Sequence, residues 1–214
     1  MKPKIKICGL RDRANIEEVL TLQPDYIGFI FHPTSKRFVG SALDAAWVAT
    51  LKDVNTTGVF VNAGLDQVTA AIDRYGFRAV QLHGNETPKY CATLQKTGVT
   101  VMKAFGIDDR FDWLQVNDYE DATDFLLFDT QSNQHGGTGI RFNWELLEGY
   151  TLSKPFFLSG GIGPENIREA FAMNDPRLYA LDLNSKFETA PGMKNIPLLK
   201  QTLQTLNDEY IPSK

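Results

Sequence analysis

The chain is short of the residues that would staple it, anchor it or bind it to a polyanion. It has two cysteines, Cys8 and Cys91, too few for a disulfide framework, and neither lies in a Cys/His pair with metal-ligand spacing. No stretch approaches the roughly 18 apolar residues that a membrane-spanning helix requires. The start, Met1-Lys2-Pro3-Lys4, leads straight into a strand-like run without the apolar core of a secretory signal. No run of five like charges occurs, and a net charge of −4 leaves no basic footprint for nucleic acid. These absences imply a cytoplasmic protein that engages neither membrane nor nucleic acid.

What is present is an ordinary globular composition, 43% hydrophobic and 22% charged, long enough to bury a core unaided. The length favours one domain, read as residues 1–214. Strand-like runs fall near 4–8, 25–30, 56–61, 78–82, 99–105, 124–129, 155–159 and 178–183. Helix-periodic segments lie between and after them, at 12–22, 42–52, 65–75, 86–96, 108–118, 143–148, 164–173 and 194–209. Strands alternating with helices predict a parallel sheet, because each crossover returns the chain to the same end. Eight such units with no interrupting domain predict an α/β fold, a single (β/α)8 TIM barrel. The alternative is an open doubly wound sheet, but no Gly-x-Gly-x-x-Gly follows the first strand.

Side chains alternate faces along a strand, so the phase of each apolar run shows which polar residues point inward. Ile5 and Ile7 suit the helix-facing side, leaving Lys4, Lys6 and Cys8 inward. Val80 and Leu82 likewise leave Gln81 and His83 inward. Asp129 is in phase with Leu127 and Phe125, and Asp182 with Ala180. Lys6, Cys8, Gln81, His83, Asp129 and Asp182 should therefore converge at the C-terminal rim, where βα loops of such barrels build active sites. An inward Lys6 or Asp182 needs a partner or a ligand, since an unpaired buried charge is costly.

Three turns late in the chain suit an anion. They are Gly136-Gly137-Thr138-Gly139, Ser159-Gly160-Gly161-Ile162-Gly163 and Asn184-Ser185. Glycine lets backbone N–H groups approach a phosphate closely. The second turn runs into Pro164-Glu165-Asn166, read as a helix start whose dipole favours negative charge. Lys186 either adds charge there or is simply solvated.

With these residues in view, the chain resembles the phosphoribosylanthranilate isomerases of tryptophan biosynthesis. The resemblance is carried by Lys6-Ile7-Cys8-Gly9-Leu10, Ser35-Lys36-Arg37-Phe38, Gly58-Val59-Phe60-Val61-Asn62, Val80-Gln81-Leu82-His83-Gly84, Asp129-Thr130, Gly136-Gly137-Thr138-Gly139, Ser159-Gly160-Gly161 and Pro191-Gly192-Met193-Lys194. It implies an aldose–ketose isomerase performing an Amadori rearrangement on a phosphorylated substrate, with neither metal nor organic cofactor, and a place beside other tryptophan-pathway enzymes. By position, Cys8 matches the family's general base, Asp129 its general acid and Arg37 the arginine for the anthranilate carboxylate. Gln81, His83 and Asp182 would face substrate; His83 alternatively only lines the barrel. Gly137, Thr138, Gly139, Gly160, Gly161, Asn184 and Ser185 would hold the phosphate. Two positions depart from the pattern: Lys186-Phe187 stand where Gly-Val is expected, and Phe128 replaces a smaller aliphatic residue, which reads as packing.

The chemistry asks for these groups. A protonated Asp129, its pKa raised by enclosure, would protonate the ribose ring oxygen. The thiolate of Cys8 would then take the C2′ proton of the Schiff base, with Lys6 expected to lower the thiol pKa. A pentulose-phosphate epimerase would need a His/Asp metal site on neighbouring strands, and of the three histidines here no two lie on adjacent strand ends, His32 and His135 being read as loop residues. The histidine-pathway isomerase resembles a barrel with aspartate in place of Cys8.

Overall fold

The computed structural model describes residues 2–131 and 141–209. Eight parallel strands close into a barrel in sequence order: β1 (Lys4–Ile7), β2 (Tyr26–Ile30), β3 (Asn55–Phe60), β4 (Ala79–Leu82), β5 (Thr100–Ile107), β6 (Phe125–Thr130), β7 (Phe156–Leu158) and β8 (Leu178–Leu183). The seam closes by β1 pairing with β8, which sets Lys6 opposite Asp182 in register. Cys8 lies one residue past β1, yet its N–H still donates to Leu183 O at 2.9 Å and so stays in the ladder. Closure leaves no free strand edge.

The outer layer is made of α1 (Arg13–Leu20), α2 (Ala45–Val48), α3 (Leu65–Tyr75), α4 (Pro88–Gln95), α5 (Ile167–Phe171) and α6 (Ile196–Glu209). Start signals explain several of them. The Asp12 carboxylate accepts from Asn15 N ahead of α1, and Thr87 Oγ1 accepts from Tyr90 N ahead of α4, where Pro88 occupies the first turn. α3 ends at Gly76 with φ +64°, the left-handed stop that glycine adopts without strain.

Four expected helices are shorter or tighter than their periodicity implied. The 42–52 segment yields only the single turn of α2, while 108–118 and 143–148 become 3-10 turns at Trp113–Tyr119 and Trp144–Gly149. Val116, Asn117, Asp118 and Tyr119 are weak helix formers, and Asp112 and Asn143 cap those segments in a tight geometry. The 164–173 segment contracts to α5 because Asn166 closes a turn first: its Oδ1 accepts from Gly163 N (2.9 Å) and its Nδ2 donates to Gly161 O (3.0 Å). The sequence also gave no sign of the hairpin β9 (Glu188–Ala190) and β10 (Met193–Lys194) that follows β8.

Burial divides into two apolar bodies. One packs between sheet and helices and includes Ile7, Phe29, Val80, Phe128 and Leu183. The other fills the barrel itself with Tyr26, Ala79, Met102, Ala104, Leu127, Phe157 and Ala180. These inner residues share the phase of Gln81, Asp129 and Asp182, so an apolar plug underlies a polar layer at the C-terminal mouth. Truncating one of the plug's aromatics, such as Phe157→Ala, should cost about 3–5 kcal/mol. No helix among the described residues is long and apolar enough to cross a membrane.

Candidate active site

At the mouth, four inward strands supply one continuous polar chain. Lys6 Nζ donates to Asp182 Oδ2 at 2.7 Å and to Gln81 Oε1 at 2.6 Å. With its oxygen turned to the lysine, Gln81 presents its Nε2 to His83 Nδ1 at 3.1 Å. A donor at Nδ1 puts the imidazole proton on Nε2, and Nε2 stands 3.5 Å from Asp129 Oδ2. The other Asp129 oxygen, Oδ1, accepts from Thr130 N at 2.8 Å. The predicted convergence of Lys6, Gln81, His83, Asp129 and Asp182 is therefore observed.

Their charges follow from depth. Burial raises the Asp129 carboxyl to about 6, against the pull of the Thr130 N–H and Lys6. Burial, with Lys103 and Lys6, lowers His83 to about 4, so its ring is neutral at physiological pH. Lys6 goes the other way: burial disfavours its charge, but Asp182 and Cys8 outweigh it and raise its pKa. One atom is left over. Asp182 Oδ1 is buried without a hydrogen-bond partner among the described residues, a costly state in a closed interior.

Cys8 sits beside this chain, 3% exposed. A Cβ at Gly28 on the neighbouring strand would come within 2.6 Å of its sulfur, so the glycine makes room for the thiol. The expectation that Lys6 lowers the thiol pKa needs correction. Burial dominates and pushes it above the ordinary thiol value; Lys6 and Lys194 oppose that rise, and Asp182 adds to it. Cys91 is a fully buried residue of α4 in the outer core.

The anion turns are partly described. Gly160 and Gly161 have φ of +86° and +64°, consecutive left-handed residues that only glycine takes readily. A Cβ on Gly160 would meet Thr130 and Asp129, so this turn abuts the β6 carboxylate. The helix start expected at Pro164-Glu165-Asn166 is corrected: α5 begins at Ile167 and is five residues long, and Gly163 N is already bonded. Asn184 follows β8, and its Oδ1 accepts from Lys194 Nζ at 2.9 Å; Ser185 opens a short 3-10 turn. Lys186 pairs with Glu165 at 3.1 Å, and Phe187 is fully buried. Gly136, Gly137, Thr138 and Gly139 lie outside the described residues.

Arg37 is not a surface arginine. Its Nε and Nη2 form a bidentate pair with Glu188, at 2.9 Å to Oε1 and 2.6 Å to Oε2. Glu188 also accepts from Lys194 Nζ at 2.8 Å. Sequence reasoning missed this cluster. Lys194 stood in the quoted Pro-Gly-Met-Lys stretch, but nothing local marked Glu188. Phe128 packs against Trp113, Tyr150 and Phe156, as its packing role required. Among the described residues, no group of three or more His, Cys, Asp or Glu side chains is placed to hold a metal ion.

Comparison with known proteins agrees with this geometry. The model of the family described as N-(5'-phosphoribosyl)anthranilate (PRA) isomerase matches residues 5–205. A protein of that name from Parabacteroides distasonis is 43% identical over 208 residues, covering 94% of this chain and 92% of its own length. Its namesake from Phocaeicola vulgatus is 36% identical, with 94% and 99% covered. Among solved structures, phosphoribosyl anthranilate isomerase from Thermus thermophilus superposes with a TM-score of 0.80 at 27% identity, covering 96% of this chain and 99% of that one. Another, a phosphoribosyl anthranilate isomerase in complex with reduced 1-(o-carboxyphenylamino)-1-deoxyribulose 5-phosphate, gives 0.78 at 27% identity, with 96% and 99% covered.

Proposed function

This chain belongs to the N-(5'-phosphoribosyl)anthranilate isomerase family, and from that premise we propose that Cys8 is the general base and Asp129 the general acid of its reaction. The activity is that of phosphoribosylanthranilate isomerase in tryptophan biosynthesis. N-(5-phosphoribosyl)anthranilate becomes 1-(2-carboxyphenylamino)-1-deoxyribulose 5-phosphate, an aldose–ketose isomerisation.

The observation that carries the assignment of roles is the state of Asp129: its side chain only 13% exposed, its pKa raised to about 6, and facing a neutral imidazole rather than a cation. Such a carboxyl keeps a larger protonated fraction near neutrality than an ordinary aspartate, and that fraction can give its proton to the ribose ring oxygen as the C1′–O bond breaks and the anthranilate nitrogen supplies electrons. The resulting Schiff base acidifies the C2′ proton. The thiolate of Cys8 takes it, and the enolamine formed tautomerises to the ketone. His83 donates from Nε2 toward Asp129 and steadies the carboxylate left after proton transfer. Asp182 Oδ1, the unpartnered acceptor, suits a ribose hydroxyl as donor. Arg37 meets the aromatic carboxylate. Gly160, Gly161, Asn184 and Ser185, with Gly137, Thr138 and Gly139, hold the phosphate, and the 1–214 chain acts as one catalytic domain.

The productive form combines a protonated Asp129 with an ionised Cys8, although the carboxyl is the stronger acid of the two. That form is a minority of the free enzyme, and Lys6 and Lys194 keep it accessible. The test follows the fluorescence of the anthranilate substrate, which falls as it is converted. The wild-type protein should accelerate the fall. Cys8→Ala should leave only the background rate while binding the reduced product analogue within about threefold of wild type, the loss being about 10²–10⁴-fold for one acid–base group. Near-normal turnover by Cys8→Ala would remove the thiol from the mechanism.

A further inference from the structure

Arg37 poses a problem for the role just given to it, because one edge of its guanidinium is already spent. Glu188 takes Nε and Nη2 in a bidentate pair, and a one-to-one pair of this kind has no net charge left to attract a second carboxylate. The pair is nevertheless not alone. Lys194 Nζ reaches the same Glu188 at 2.8 Å, and the Gly192 N–H adds a contact at 3.2 Å. The lysine cannot drift away. Its Nζ also donates to Asn184 Oδ1 at 2.9 Å, and Asn15 clasps its backbone on both sides, accepting from Lys194 N (2.7 Å) and donating to Lys194 O (3.0 Å).

The side chains of Lys194, Glu188 and Arg37 are 0%, 4% and 11% exposed. While the Cys8 thiol is protonated, two cations therefore share one anion in a closed space; burial lowers the Lys194 pKa against the pull of Glu188, and the surplus positive charge is costly until an anion arrives. The cluster lies against the reacting end of the barrel. A Cβ at Gly9, the residue after Cys8, would fall 2.6 Å from both Arg37 Cδ and Asn184 Oδ1. The nitrogen of Arg37 that Glu188 leaves free is Nη1.

We infer that Lys194 is a specificity-determining positioning residue: by sharing Glu188 it leaves the Arg37 cluster with a net positive charge, so that Arg37 Nη1 selects a substrate carrying a carboxylate on its aromatic ring. The inference rests on the reading of Arg37 given above. Glu188 holds the guanidinium in place, Lys194 offsets the charge of Glu188, and the carboxylate of the substrate completes the balance.

The experiment compares inhibition by two analogues, reduced 1-(o-carboxyphenylamino)-1-deoxyribulose 5-phosphate and the same compound without the ring carboxylate. The ratio of their inhibition constants is independent of how much of a preparation is folded. Wild type should prefer the carboxylated analogue by at least about 100-fold; a preference under about tenfold overturns the inference without any variant. Lys194→Met, with Lys194→Gln as a second neutral form, should lower that preference about tenfold or more, and Arg37→Ala should lower it at least as far. A fall in Arg37→Ala alone overturns the role of Lys194 and leaves Arg37 standing. An unchanged preference in Arg37→Ala removes the carboxylate contact itself and the inference with it.

Discussion

Two buried lysines of the barrel, Lys6 on its inner face and Lys103 on its outer face, differ in what their surroundings leave over. Lys103 donates to the carbonyls of Leu82 (3.2 Å), Gly84 (2.7 Å) and Ala104 (2.8 Å), and stands 3.4 Å from Glu86 Oε2. The Glu86 carboxylate is satisfied in turn by the N–H groups of Asn62 and Gly84. Every acceptor in that cluster has a donor, and its product is a fixed segment at 82–86, the one that carries His83. Lys6 has fewer partners, and its carboxylate neighbour Asp182 retains an oxygen with none among the described residues. A complete buried cluster fixes a loop, whereas an incomplete one at a rim awaits a ligand. The same depth and the same residue type thus serve two purposes, and the unmet hydrogen bond distinguishes them.

The contrast can be tested by asking which cluster loses activity and which loses stability. The largest effect belongs to the mouth. Asp129→Asn should lower kcat by about 10²–10⁴-fold in the fluorescence assay while the protein still melts cooperatively; an active variant would move the acid elsewhere. Next comes the outer face. Lys103→Met leaves Glu86 buried without its cation and should lower unfolding free energy by about 3–5 kcal/mol in urea titration. Its kcat/KM should stay within about threefold of wild type when assayed well below the midpoint. A hundredfold loss with unchanged stability would reverse the roles assigned to the two faces.

A smaller effect has the opposite sign. Because Asp129 has a native pKa of about 6, above its unfolded value of 3.8, the native state holds that proton more tightly. Its contribution is present in full below pH 3.8 and is lost as pH rises through about 6. At pH 7.5 the ionised Asp129 therefore costs stability, and Asp129→Asn should be more stable than wild type by about 1–3 kcal/mol. Equal or lower stability of the variant at that pH would mean that the carboxylate is better solvated or paired than its burial implies.

The most delicate prediction concerns pH. With Asp129 near 6 and the Cys8 thiol above its ordinary value, kcat/KM should rise about tenfold per pH unit below pH 6, as the thiolate fraction grows while Asp129 stays protonated. It should level above 6, where loss of the Asp129 proton cancels further ionisation of the thiol. Asp129→Asn should lose the inflection. A wild-type profile that falls above pH 6 would instead indicate a thiol already ionised there.

Much of this architecture was legible in the chain. The eight strands were each placed within two residues at either end, because a buried parallel strand is an apolar run bounded by polar residues, and inner and outer phases differ in size and polarity. Gln81, His83, Asp129 and Asp182 announced themselves by breaking that phase. Two things were not legible. The Arg37–Glu188 pair joins residues 151 positions apart, and no local pattern reports a contact made through the closing hairpin. The direction of the Cys8 shift also escaped, since strand phase shows that Lys6 is near but not how deep the sulfur lies, and depth decides the balance between desolvation and charge.

The central claim is that Cys8 and Asp129 flank one sugar, with the free oxygen of Asp182 completing the cradle. A crystal structure with the reduced product analogue bound tests it most directly. The account predicts Cys8 Sγ within roughly 3.5 Å of C2′ and an Asp129 oxygen within hydrogen-bond reach of the former ring oxygen. It also predicts a ribose hydroxyl donating to Asp182 Oδ1. An analogue whose C2′ lies away from the sulfur, or that leaves Asp129 facing only protein, would contradict it.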